Sequence, residues 1–255
     1  IEDFSSILEI WSVDTDTLRN RGIARAVLND HAGAIEDFTK ALLVKPNYAE
    51  CFTSRGYSRA KTNDHKGAIE DYTKAISLDS NNSVNFFNRG VSKLQLNDYA
   101  GAIEDYTYAL EKNPDNILII NARGATRNSL GDFDGALNDY NQSLNIDSEN
   151  KEILYLRALL YIELKKVDKA IIDFQTIFKM DPSYEDVSDR LISLNKNNIL
   201  KNDNHKTKNS KKISVPQKSG KDIELLLKNL NSFIGLHDVK KEIESFLSKY
   251  RKTFR

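Results

Sequence analysis

The sequence predicts an all-α protein built from repeated helical hairpins, and three observations carry that expectation. An Arg-Gly pair recurs at 34-residue steps as Arg21-Gly22, Arg55-Gly56, Arg89-Gly90 and Arg123-Gly124, with Arg157-Ala158 at the fifth step. Twelve residues after each Gly or Ala stands an alanine (Ala34, Ala68, Ala102, Ala136, Ala170), and four further on an aromatic (Phe38, Tyr72, Tyr106, Tyr140, Phe174). The 255 residues hold 4 prolines, 11 glycines and no apolar run of membrane length, which excludes collagen-like, proline-rich and helix-spanning membrane classes.

Each unit reads as two antiparallel helices, A and B. In the second unit helix A is expected from about Glu50 to Lys61 and helix B from about Lys66 to Leu78. Asp64, Asp98 and Asp132 stand where helix B needs an acceptor for its free N–H groups, and Asn82, Asn116 and Asn150 precede the next helix A. Small residues three positions after the aromatic (Ala41, Ala75, Ala109, Ser143, then Ile177) let the helices approach, and the aromatics fill the space between units. Pro46, Pro114 and Pro182 cannot continue a helix and close three of the units.

The same frame extends to both ends. Ile1-Glu2-Asp3-Phe4 lies 34 residues before Ile35-Glu36-Asp37-Phe38, and Ile7, Leu8 and Ile10 continue the pattern. Residues 1–14 are therefore expected to be helix B of a truncated repeat, in a fragment of a longer protein. Its exposed apolar face offers a surface for self-association. A capping helix is expected over 185–195, with Val187, Leu191 and Leu194 on one face. Residues 196–221 lose all periodicity, are rich in Lys, Asn and Ser, and read as a basic flexible linker. Helical spacing returns over 222–255, with Ile223, Leu226, Leu227 and Leu230, then Val239, Ile243, Phe246, Leu247 and Tyr250.

The 34-residue pattern resembles the tetratricopeptide repeat (TPR) family. The resemblance covers five full repeats, 15–48, 49–82, 83–116, 117–150 and 151–184, plus the partial N-terminal one, and implies a right-handed superhelix, an α-solenoid. The fifth unit departs from the pattern with Ala158, Lys165-Lys166 and Ile177. An arginine and the aspartate sixteen residues later recur in every unit (Arg21/Asp37, Arg55/Asp71, Arg89/Asp105, Arg123/Asp139, Arg157/Asp173), which suggests a ladder of ion pairs; a row of arginines for acidic ligands is the functional alternative.

In the family the concave groove is lined by helix A and receives an extended peptide or a partner helix. Carried onto this sequence, the groove positions nominate Arg19, Thr53, Tyr57, Lys61, Phe87, Asn88, Val91, Gln95, Asn121, Asn128 and Tyr155 as partner contacts. Aromatic anchors with adaptable hydrogen-bonding neighbours suit peptide recognition, while packing between adjacent A helices is the alternative role for each. One subfamily grips a C-terminal carboxylate with Lys, Asn and Arg side chains. Here those positions hold Arg19, Ile23, Ser54, Val84 and Asn88, so that mode is not expected.

The segment Leu230-Asn231-Ser232-Phe233-Ile234-Gly235-Leu236-His237-Asp238-Val239-Lys240-Lys241-Glu242-Ile243 resembles the opening of AAA+ ATPases of the Rubisco-activase and sporulation type. That resemblance implies a motor beyond Arg255 that binds ATP and Mg. A short helical hairpin docking on the repeats or on a partner is the alternative. The chain itself has no phosphate loop: Gly220-Lys221 is its only Gly-Lys, followed by Asp222 and preceded five residues earlier by Val215.

The formal charge of zero conceals an asymmetry: residues 1–195 carry 22 Lys+Arg against 31 Asp+Glu, and residues 196–255 carry 15 against 6. The basic run from Lys196 to Gly220 has no aromatic residues, which disfavours nucleic-acid recognition. The single cysteine, Cys51, reads as a small core residue, and His31 and His65 as packing residues at the position of Tyr99 and Phe133. No catalytic or metal-binding motif stands out. The expectation is a cytoplasmic, non-catalytic protein-interaction scaffold, without a cofactor in this chain or a membrane partner. The alternative is the substrate-recruiting or regulatory front part of a larger AAA+ ATPase.

Overall fold

The computed structural model describes residues 14–203. Among them are eleven α-helices: α1 (Thr15–Val27), α2 (His31–Val44), α3 (Ala49–Lys61), α4 (His65–Leu78), α5 (Ser83–Gln95), α6 (Tyr99–Lys112), α7 (Ile117–Leu130), α8 (Phe133–Ile146), α9 (Lys151–Glu163), α10 (Val167–Met180) and α11 (Val187–Asp203). No strand occurs among the described residues. They fall into two compact units, 14–119 and 120–203.

Odd-numbered helices from α1 to α9 are the A helices and even-numbered ones the B helices. In the first unit the hairpin partners α1–α2, α3–α4 and α5–α6 pack most closely, and α2–α3 and α4–α5 join one hairpin to the next. The second unit pairs α9 with α10 and α10 with α11.

Local chemistry sets the repeated boundaries. Asp30, Asp64, Asp98 and Asp132 each accept a bond from the backbone N–H three residues on, at Gly33, Gly67, Gly101 and Gly135 (2.9–3.0 Å). The cap satisfies a free donor and is worth about 1 kcal/mol. The fifth B helix has Lys166 at this position and no side-chain cap. Asn82, Asn116 and Asn150 accept from Val84, Ile119 and Ile153 N–H at the starts of α5, α7 and α9. The turn between A and B needs a left-handed residue, filled by Asn29, Asn63, Asn97, Gly131 and, at φ 60°, Lys165.

The core runs along the hairpin interiors. Phe38, Tyr72, Tyr106, Tyr140 and Phe174 are all buried, as are Ala34, Ala68, Ala102, Ala136 and Ala170. Gly90 shows why its position is small: a Cβ there would stand 2.8 Å from Cε1 of Tyr106.

The expected ion-pair ladder is present within the repeats. Arg55 Nε and Nη2 donate to Asp71 Oδ2 and Oδ1 at 2.9 and 2.7 Å, and Arg21/Asp37, Arg89/Asp105, Arg123/Asp139 and Arg157/Asp173 follow the same forked geometry. A second cation four residues on joins each of the first four: Arg25, Arg59, Lys93 and Arg127 lie 2.8–3.0 Å from the same aspartates. In the fifth repeat Tyr161 stands there instead. Arg55 and Arg89 also reach back to Thr39 and Thr73 hydroxyls (3.1 Å), and Arg157 to Asn141 (2.6 Å), so the ladder stitches successive repeats within each unit.

The C-terminal end departs from expectation. The last helix starts at Val187 rather than 185, and its backbone runs on through Asp203, eight residues into the segment expected to be a linker. Glu185 takes a left-handed φ of 46°, which breaks helical continuation, and Asp186 is engaged by Tyr155 and Arg190. Once a helix is nucleated, adding polar residues costs little. The truncated repeat expected over 1–14 (save Asp14), the rest of the linker and the segment 222–255 lie outside the described residues.

Candidate functional site

In the first unit the A helices α3 and α5 lie side by side and the start of α4 closes one end. Thr53 is the stitch between them: its hydroxyl lies 2.7 Å from Asn85 Oδ1 on α5. One turn on, a small pocket opens between the two helices, lined by Tyr57, Ala60 and Lys61 from α3, His65 and Tyr72 from α4, and Asn88, Val91, Ser92 and Gln95 from α5. Five of the eleven expected contact residues therefore come together: Tyr57, Lys61, Asn88, Val91 and Gln95. The repeat frame puts Tyr57 and Val91 at the same position of consecutive repeats, and Lys61 and Gln95 likewise.

Tyr57 is half-buried. The His31 ring meets it edge-on at 6.0 Å, and Lys61 Nζ lies 5.4 Å from its centroid. Burial pushes the Tyr57 phenol up and the Lys61 ammonium down from their usual pKa values. His31 is pushed down by burial and then by the Lys61 charge, against the pull of Asp30; His65 is pushed down by burial against Asp64. The two histidines, read from sequence as packing residues, each enclose an Nδ1 without a hydrogen-bond partner. Asn88 and Val91 are buried, while Tyr57, Lys61 and Gln95 are half-exposed.

The other six expected contacts lie elsewhere. Arg19 sits 5.9 Å over the ring of Tyr48, whose hydroxyl donates to Asp16 at 2.6 Å and whose pKa burial pushes up to about 12. Phe87 is 6% exposed and packs on Tyr106 at 5.7 Å. In the second unit Asn121 and Asn128 are half-buried on α7 with their Oδ1 atoms enclosed and without a partner. Tyr155 is 8% exposed. Its hydroxyl donates to Asp186 at 2.8 Å, its ring packs against Phe174 and Tyr184, and Arg190 stacks 5.6 Å above it. Phe87 and Tyr155 thus spend most of their surface on the chain's own packing.

Four lining residues of the pocket are not among the eleven expected contacts: Ala60, His65, Tyr72 and Ser92. His65 opens a B helix, outside the A-helix positions considered, and Ser92 neighbours Val91 on the side turned to Asn88, whose carbonyl its hydroxyl meets at 3.0 Å. Cys51 is buried, as expected, and burial holds its thiol up at about 12, so it is no nucleophile. Among the described residues no cluster of His, Cys, Asp and Glu could hold a metal ion, and no helix is long and apolar enough to cross a membrane.

Family models for tetratricopeptide repeats match residues 49–82, 85–116 and 151–184, and a TPR repeat model matches 124–165. These matches end at Tyr184, and the AAA+ resemblance of 222–255 finds no support among them. No curated protein matches the sequence. Among solved structures, a crystal structure of MamA protein is 21% identical, covering 67% of this chain and 95% of its own, with a TM-score of 0.63. YrrB, described as a TPR protein with an unusual peptide-binding site, is 19% identical over 71% of this chain and 93% of its own, with a TM-score of 0.62. MamA 41-end from Desulfovibrio magneticus RS-1 is 13% identical over 67% of this chain and 97% of its own, also with a TM-score of 0.63. At these identities the likeness is one of fold. With the 34-residue hairpins and the matches between 49 and 184, it identifies the chain as one that carries tetratricopeptide repeats.

Proposed function

We propose that the chain is a non-catalytic interaction scaffold that binds an extended peptide or helix of a partner protein along its A helices. The contact centres on Tyr57, Lys61, Asn88, Val91 and Gln95. The observation that carries the reading is the convergence of these five side chains, from two consecutive A helices, on one pocket with an aromatic wall and adaptable polar neighbours. The peptide-binding site named for YrrB, a structure of the same fold, supports it. A cytoplasmic setting, self-association through the N-terminal half-repeat, and no role for nucleic acid or membrane belong to the same reading.

The alternative, a recruiting part of a larger AAA+ ATPase that would bind ATP and Mg elsewhere, rests on the resemblance of residues 222–255 alone. No feature of the described residues favours it.

Selection of a random-sequence peptide library against the full chain tests the scaffold reading. Selected peptides are expected to lose about tenfold or more in affinity for the Tyr57→Ala/Gln95→Ala variant at unchanged helicity. Equal binding to both proteins contradicts the reading.

A further inference from the structure

His31 and His65 hold one place in consecutive repeats, the first residue of α2 and of α4, where the later repeats have Tyr99, Phe133 and Val167. Both flank Tyr57. The His31 ring meets the Tyr57 ring edge-on at 6.0 Å, and His65 lines the pocket between α3 and α5 together with Tyr57. Two of the chain's 4 histidines therefore border one candidate binding surface.

Their surroundings favour the neutral ring. Each Nδ1 is enclosed and has no hydrogen-bond partner. A neutral imidazole tolerates this by carrying its proton on Nε2. An imidazolium has a proton on both nitrogens and would hold an enclosed donor without an acceptor. Each ring also sits at the positive end of a helix, which disfavours a further positive charge. The charged groups around the rings leave that balance in place. Facing His31 are Asp30 from its own turn and Lys61 from α3, while Arg25 reaches the same turn from α1. Asp30 caps Gly33 N–H and lies 3.7 Å from Arg25 Nε, and Arg25 also holds Asp37. Next to His65, Asp64 caps Gly67 N–H and lies 3.7 Å from Arg59 Nε, which places the same arrangement one repeat on. Lys61, Tyr57 and Tyr72 share the pocket with His65, and the residues that α5 brings to it (Asn88, Val91, Ser92, Gln95) do not titrate. Burial is the largest influence on both rings and lowers their pKa values against the pull of the adjacent aspartates.

We propose that these two imidazoles gate partner binding by proton uptake: the pocket takes its segment while His31 and His65 are neutral and releases it when they are charged. The proposal rests on the scaffold reading above and adds the regulation of the same site. Charging His65 drives its Nδ1–H toward water, and the ring leaves the pocket wall. Charging His31 draws its edge away from Tyr57, the aromatic wall of that pocket. A segment seated there removes the water that the charged rings need, so binding and proton uptake oppose each other. Ordinary histidine titrates at about 6.5, and release therefore falls on the acid side of that pH.

The probes are peptides selected near neutral pH from a random-sequence library without His, Asp or Glu, so that only the chain titrates. They are read against the full chain by fluorescence anisotropy. Affinity is expected to fall about tenfold between about pH 7.5 and about pH 5. In His31→Tyr/His65→Phe, which carries the residues of the third and fourth repeats, the same acidification is expected to cost less than about twofold, whatever the affinity at the higher pH. His31→Tyr alone, which leaves the pocket lining untouched, is expected to lose about threefold and serves if the double variant fails to fold or bind. A loss as large in the variants as in the unaltered chain, or tighter binding in acid, overturns the gate and leaves the scaffold reading standing. A second measurement needs no peptide. The nuclear Overhauser contact between the His31 and Tyr57 rings is expected at about pH 7.5 and lost by about pH 5. Its persistence once both imidazoles are charged overturns the gate. Selected peptides indifferent to Tyr57→Ala/Gln95→Ala overturn the scaffold reading itself, and the gate with it.

Discussion

Arg55 and Asp71 are joined by two parallel N–H···O bonds of 2.9 and 2.7 Å, with the carboxylate buried and the guanidinium side chain only 13% exposed. Arg59 holds the same carboxylate from the other side at 3.0 Å. Asp71→Ala leaves the nearly buried Arg55 without its counter-charge and Arg59 with only the longer contact to Asp64 at 3.7 Å. It is expected to destabilise the chain by about 3–5 kcal/mol, measured as a lowered urea midpoint. A loss below about 1 kcal/mol would show that the forked pair is worth no more than a surface salt bridge.

Lys165 holds φ at 60° in a turn where the first three repeats place asparagine and the fourth glycine. Lys165→Gly is expected to stabilise the chain by about 0.5–1 kcal/mol, while Gly131→Ala, at φ 89°, is expected to destabilise it by about 1 kcal/mol. Thermal midpoints of both variants check the sign.

The aromatic rings of Phe87 and Tyr155 are packing elements. Phe87→Ala and Tyr155→Ala each remove a nearly buried ring, and each is expected to cost about 3–5 kcal/mol. Tyr155→Phe keeps the ring but leaves Asp186 with Arg190 in place of two partners, and is expected to cost about 0.5–1.5 kcal/mol and to loosen the start of α11 first. Hydrogen exchange of the amides near Val187 reads that loosening.

His31 and His65 have pKa values lowered by burial, so the unfolded chain takes up protons before the folded one does. Their contribution to stability is fully present above the unfolded value of about 6.5 and is lost as pH falls from there toward the folded pKa. A His31→Asn/His65→Asn variant is expected to lose less of its thermal midpoint than the unaltered chain between about pH 7.5 and about pH 5.5. Equal losses would show that carboxylates alone set the acid limb.

The repeat frame was legible because its chemistry is periodic: Asp64 caps α4 for the same reason that Asp98 caps α6, and Arg55 meets Asp71 as Arg89 meets Asp105. The second cation of each ladder rung was legible too, since Arg25, Arg59, Lys93 and Arg127 stand one helical turn beyond the first. It was missed because Lys93 and Tyr161 break the identity of the column. What periodicity cannot express is the end of the array. Tyr155 occupies a groove position, yet Tyr184, at the last position of its repeat, and Asp186 and Arg190, beyond every repeat, close over it. The pocket mixes levels in the same way, because His65 and Tyr72 lie on a B helix while the other lining residues lie on A helices.

The most direct test of the account is a backbone amide chemical-shift map of the full chain titrated with a selected peptide. The account predicts that the largest shifts cluster at Tyr57, Lys61, Asn88, Val91 and Gln95. Shifts concentrated on the exposed faces of the B helices, around Lys40 and Lys74, with those five residues unmoved, would contradict it.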